Sequence, residues 1–167
     1  LRNPDRFLLM FAPISRTFES SYDLSNLSAQ IPPFVRNRIV LPTNLGENLA
    51  FLRGWQQQFR GEGFVYDYPL GRAHYGDFGY LHIARIIGQD IKKLRQMGLD
   101  GYISCQELRA CSPNMLPNYV MGRTLWDETA DVEALIQEYV AAAYPAEPRL
   151  AKECLENNGF PCAPVYS

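Results

Sequence analysis

Short unbroken apolar runs alternate along this chain with longer segments whose apolar residues recur at helical spacing. Arg6 to Ile14 (RFLLMFAPI) is such a run, closed by Pro13, and predicts a strand covered on both faces, as in a parallel sheet. From about residue 15 to 43 no helical period is sustained, and a connection of that length is often functional. Within it Phe34 to Leu41 (FVRNRIVL) can form a short extended piece, although Arg36 and Arg38 make it a poor core strand. A helix is predicted over Asn44 to Phe59. Asn44 can cap it, Glu47 stands three residues on as in a capping box, and Leu45, Leu49, Leu52 and Phe59 share a face. Gly61 and Gly63 end it, and Phe64 to Tyr68 reads as the next strand.

Residues 69 to 78 form a loop rich in glycine, aromatic and charged residues. A long amphipathic helix follows from Phe78 to Met97, with Tyr80, Ile83, Ala84, Ile87, Ile91 and Leu94 on one stripe and Gly98 as its stop. Its polar face carries Arg85, Gln89, Lys92, Lys93 and Gln96. Gly101 to Cys105 is the third predicted strand. Beyond Pro113 the period is helical throughout: Leu116 to Trp126, Asp131 to Tyr144 with Asp131 as cap, and Arg149 to Asn157.

The resulting order is strand, long loop, helix, strand, helix, strand, then helices. It predicts an α/β fold with about three parallel strands, matching the C-terminal part of a (β/α)8 TIM-type barrel followed by a helical segment. A small open three-stranded sheet satisfies the same order. We divide the chain into a partial barrel over 1–112 and a C-terminal helical region over 113–167 packed on it. Three strands cannot close a barrel, and the chain opens Leu-Arg-Asn-Pro without an initiator Met, so it is expected to be a portion of something longer.

With 47% hydrophobic and 20% charged residues among 167, the composition is that of a globular chain able to bury a core. A net charge of −2 argues against a broad basic surface for nucleic acid, and no apolar run approaches the roughly 20 residues of a membrane span. Cysteines 105, 111, 154 and 162 show no CxxC spacing, and only two histidines accompany them, so no metal site is predicted. No Walker loop, GxGxxG, GxSxG elbow or HExxH is present, which leaves no cofactor to expect. The N-terminus carries no address that fixes a compartment.

Candidate chemistry gathers at the strand ends, where parallel α/β proteins place it. Asp67 is a carboxylate closing an apolar run; buried alone it would cost several kcal/mol, so it needs a partner or a ligand. It can bind a hydroxyl or act as acid or base, or it can form a structural ion pair with Arg72 or Arg109. Ser104, Gln106 and Glu107 are the equivalent groups on the next strand, and Gln106 both donates and accepts as sugar hydroxyls require. His74, beside Tyr75 and near Asp77, can shuttle protons or bind a hydroxyl. Phe18, Tyr22, Tyr68 and Tyr75 can be stacking platforms or ordinary packing. Arg16 and Arg109 can grip a carboxylate-bearing sugar or pair with neighbouring acids. Cys105 reads as a small buried thiol, with a nucleophilic role beside His74 as the rarer alternative.

At GFVYDY, HYGDFGYLHIA, GLDGYISCQELRA and YVMGRTLWDETADVEALIQEYVAAAYP, the chain resembles a bacterial domain family of unknown function. That family forms the later part of glycoside-hydrolase-like proteins similar in layout to α-glucuronidases and the hexosaminidase clan. The resemblance spans most of residues 7 to 145 and implies a TIM-type barrel that closes with these strands, a helical region after it, and a carbohydrate substrate. It also implies a general acid on an earlier strand, and thus a partner in the rest of the barrel N-terminal to this chain. In relatives an acidic residue falls near Ser104; here it is Ser. Glycoside hydrolysis needs two carboxylates, and this chain offers Asp67. The reading is therefore of a wall of a sugar-binding cleft, with Asp67 catalytic and Tyr68, His74, Tyr75, Gln106, Arg109 and Arg16 binding substrate. The alternative is a non-catalytic carbohydrate-binding or interaction module on a degenerate barrel.

Overall fold

The computed structural model describes residues 3–25, 29–42, 44–59, 61–70, 77–105 and 114–157. Three strands, β1 (Leu9–Phe11), β2 (Gly63–Asp67) and β3 (Gly101–Ser104), form one sheet in the order β1-β2-β3. Both pairings are parallel, with Phe11 opposite Val65, Val65 opposite Tyr102, and Asp67 opposite Ser104. All three strands therefore end on the same side of the sheet. The α/β class and parallel pairing expected from the sequence are present, as a three-stranded sheet.

Helix α1 (Leu45–Gln56) joins β1 to β2, and α2 (Leu81–Lys93) joins β2 to β3. The start of α1 follows local chemistry: Asn44 Oδ1 accepts from the Glu47 N–H at 2.9 Å. The start of α2 does not. Tyr80 sits at φ 61°, in the left-handed region, so the helix begins at Leu81 rather than Phe78. Asp77, fully buried, supplies the missing acceptor: its Oδ2 receives the Ile83 N–H at 2.8 Å, and its carbonyl receives the Tyr80 N–H. Burial raises the Asp77 pKa, and these N–H groups offset that only in part. Asp77, expected beside His74, thus serves the helix end. After α2 a short 3-10 turn (Arg95–Met97) leads to Gly98 at φ 70°, where the Leu99 N–H returns to the Leu94 carbonyl.

Strand β1 is shorter than the apolar run that predicts it. Phe7 and Leu8 are exposed, and pairing begins at Leu9 because its partner strand among the described residues begins at Gly63. Nor is it covered on both faces, since Met10 is 54% exposed. Alternation explains this. Leu9, Phe11, Val65 and Tyr102 face Leu49 and Leu52 of α1 and the Met97–Leu99 turn, whereas Met10 and Ile103 lie on the opposite face, left uncovered among the described residues.

A second cluster centres on Ile83, Ile86, Ile87 and Ile91 of α2 with Phe18, Leu70 and Met121. Behind it, α3 (Leu116–Trp126) and α4 (Val132–Ala143) pack Leu116, Val120, Leu135, Ile136 and Val140 against Leu81 and Ala84 of α2. Asp131 caps α4 as its position predicts, accepting from the Glu133 and Ala134 N–H groups. Helix α5 (Pro148–Asn157) is held partly by charge, through Arg85 of α2, which bridges Glu133 and Glu156.

Candidate functional site

Asp67 ends β2 on the helix-covered face, and what reaches it comes from the long connection after β1. The Arg16 side chain is fully buried, with Nη1 3.4 Å from Asp67 Oδ2 and Nη2 2.7 Å from Asp90 Oδ2. Its plane lies between the rings of Phe18 and Tyr22, each centroid 4.2 Å from the guanidinium carbon. Two carbonyls also accept from it, Thr17 O from Nε and Ser20 O from Nη2. Asp90 Oδ1 also receives the Ser21 hydroxyl at 2.5 Å and the Tyr22 N–H at 2.9 Å. Lys93, one turn on along α2, donates to Ser21 Oγ and to the Tyr22 carbonyl. Residues 15–22 are thereby locked onto α2 and the end of β2.

The electrostatics follow from burial. Desolvation raises the Asp67 pKa, and the Arg16 charge and the Tyr68 N–H at 2.9 Å lower it in part. Burial alone would lower the Arg16 pKa, yet Tyr22, Asp90 and Asp67 around it carry it above its ordinary value, so it stays protonated. Burial also raises the phenols of Tyr22 and Tyr102.

These contacts revise two expectations. Asp67 takes its ion-pair alternative, with Arg16 as partner in place of Arg72 or Arg109, and it is 3% exposed. Arg16 takes its alternative too, pairing with the neighbouring acids Asp67 and Asp90 in place of a ligand carboxylate. Asp90 is not among the candidates named from the sequence. Its signal was in the pattern: it stands seven residues after Ile83 and three after Ile87, a carboxylate on the apolar stripe of α2. Phe18 and Tyr22 are packing for Arg16 rather than platforms.

The uncovered face carries a different set. Tyr66 and Tyr68, two apart and so on one side of the strand, meet edge-on with centroids 5.3 Å apart. A hydrogen bond with the Cys105 thiol holds the Tyr66 phenol above its usual pKa; burial, then Cys105, does the same for Tyr68. Cys105 is half-buried and its thiol is free. Tyr68 is thus a partly accessible aromatic just past a strand end, and Tyr66 joins it. His74, Tyr75, Gln106 and Arg109 lie outside the described residues. Among the described residues no group of three or more His, Cys, Asp or Glu is placed to hold a metal, and no helix is long and apolar enough to cross a membrane.

The fold and site define an α/β protein with a three-stranded parallel sheet, a buried Arg16–Asp67–Asp90 cluster beneath its strand ends and an aromatic pair on its open face. Comparison with protein-family models, curated proteins and solved structures finds no match in any of the three.

The buried phenols give a direct prediction. An unfolded tyrosine ionises near pH ~10, whereas Tyr22 and Tyr102 hold their protons higher in the fold. Their contribution to stability is therefore intact below about pH 10 and is lost as pH rises above it. In a phenolate absorbance titration of the ten tyrosines, two should appear only with the loss of the fold. A single reversible step for all of them, with far-UV circular dichroism unchanged, would contradict this placement.

Proposed function

We propose that this chain forms one wall of a carbohydrate-binding cleft in a glycoside-hydrolase-like β/α barrel, the rest of which is supplied by further β/α units. The observation that carries this is the Tyr66–Tyr68 pair on the uncovered face of a parallel sheet, at the end where its strands terminate. In a barrel that face is the interior, and aromatic rings at strand ends are stacking surfaces for the apolar faces of sugar rings. Incomplete closure has support of its own. Met10 and Ile103 are about half exposed on the same face, an apolar groove of about 340 Å³ runs beside β1 between Met10, Ile14, Leu41 and Trp55, and Trp126 and Leu125 are exposed at the end of α3. His74, Tyr75, Gln106 and Arg109 follow these strand ends in the chain and lie outside the described residues. Asp67 and Arg16 act there as positioning residues, since Asp67 holds the Tyr68 N–H and Arg16 holds Asp67.

Binding rather than bond cleavage is what these residues supply. Hydrolysis requires two carboxyl groups roughly 5 to 10 Å apart, and the described strand ends carry Asp67 alone, neutralised by Arg16. The non-catalytic module is favoured by the same observation. The test is calorimetric titration of the whole chain with neutral and uronate-bearing oligosaccharides, alongside Tyr66→Ala and Tyr68→Ala. Each substitution should weaken binding about 3- to 10-fold, the worth of one aromatic contact, with no turnover in any sample. A chain that takes up neither class of sugar at millimolar concentration removes the proposal.

A further inference from the structure

The long connection after β1 ends in a feature that the sugar cleft does not use. It is pinned at both ends: the Ser15 hydroxyl donates to the Pro42 carbonyl at 2.7 Å, and Ala29 and Ile31 lie against the glycines of α1, where a Cβ on Gly46 or Gly54 would meet them at 3.2 and 2.6 Å. Between these anchors residues 33–41 are all exposed. Val35 and Arg38 pair antiparallel across a tight turn, the Arg38 N–H bonds the Val35 carbonyl, and Asn37 takes the left-handed conformation at φ 64° that closes such a turn. Phe34 and Ile39 stand immediately outside this bridged pair in the chain, 91% and 89% exposed. Arg36 and Arg38 flank them, and from Leu24 to Gly46 the chain has no acidic residue.

We propose that this prong docks on an anionic lipid surface, Phe34 and Ile39 entering the boundary between headgroups and acyl chains while Arg36 and Arg38 meet the lipid phosphates and carboxylates. Charge complementarity selects the partner's sign: the tip carries two cations on a chain of net charge −2. Shape selects a bilayer over a folded protein, because a convex tip with large apolar side chains needs a deep complementary groove in a protein but sinks into a deformable interface. Pro32, Pro33 and the bridged turn preorganise the tip, so little conformational freedom is lost on docking. The inference is independent of the carbohydrate reading.

The test is co-sedimentation of the full chain with vesicles of phosphatidylcholine alone and of phosphatidylcholine with about 30% phosphatidylserine. Binding to the anionic vesicles should exceed binding to the neutral ones by roughly 10- to 30-fold, from two arginines near the surface, and should fall with salt. Phe34→Ser with Ile39→Ser should abolish it, and Arg36→Gln with Arg38→Gln should remove its salt-dependent part. Both double variants should melt with the wild type, because the altered side chains are exposed. Wild-type protein that stays in the supernatant with anionic vesicles overturns the proposal, as does undiminished binding by the Ser variant. Retention on soluble polyglutamate without vesicle binding also overturns it, in favour of a protein partner.

Discussion

Replacing Arg16 by Met should cost about 3–5 kcal/mol of folding stability, the usual result of removing one partner from a buried ion pair. Little of that is lost packing, since Met fills much of the same space between Phe18 and Tyr22. The cost comes from Asp67 and Asp90, 3% and 5% exposed, which lose the cation that makes their burial tolerable. For a domain whose total stability is about 5–15 kcal/mol, the variant should be partly unfolded or far more sensitive to urea. The pH dependence distinguishes this cause from a packing defect. The Asp67 pKa is already raised by burial, and without Arg16 it rises further. The deficit is therefore full above that raised value and shrinks as pH falls through it, because a proton then neutralises the stranded carboxylate. Urea unfolding at neutral pH and at about pH 4.5, near the ordinary carboxylate range, should show the gap between variant and wild type narrowing on acidification. Asp67→Asn added to Arg16→Met should restore part of the loss at neutral pH. A gap that is absent, or constant with pH, contradicts the buried cluster.

Ile83→Ala is expected to cost about 3–4 kcal/mol, within the range for truncating a large aliphatic core residue. Ile83 is fully buried at the centre of the cluster that joins α2 to Phe18, Leu70 and Met121. Those neighbours come from the connection after β1, the turn after β2, and α3, so a void there loosens three separate segments at once. Ile83→Val, which removes one methylene, should cost about 1 kcal/mol. Gln89→Ala on the exposed side of the same helix should stay within about 0.5 kcal/mol. The midpoint in urea should move while the slope stays the same, since the surface exposed on unfolding is unchanged. Equal effects at Ile83 and Gln89 would mean that α2 does not present this face to the core.

Local signals located the helices well. Asn44 and Asp131 cap where their side chains can reach the first free N–H groups, Gly98 turns the chain where its missing Cβ allows it, and Leu116 to Trp126 is helical over the span its period indicates. The start of α2 was not legible, because Asp77 caps it through a left-handed Tyr80 that no propensity favours. The extent of β1 was not legible either, since it depends on where its partner strand begins. At the site, Asp67 stood out as a carboxylate needing compensation, but its partner lies 51 residues earlier, on a connection without periodicity. Asp90 is not legible as a site residue because a single acid within an apolar stripe is indistinguishable, by period alone, from one on the polar face beside it.

Sequence alone determined the order of elements, their parallel pairing and the position of one anomalous carboxylate. Each of these follows from near-neighbour chemistry: side-chain period, caps, and helices between strands. Only the tertiary structure decided that Arg16, Asp67 and Asp90 share one enclosed volume, and that Tyr66 and Tyr68 remain on the uncovered side. Which residues meet across 50 or more positions depends on how β1, β2 and α2 stack, and which sheet face stays bare depends on where the helices lie. Periodicity encodes that a face is apolar; packing assigns its partner.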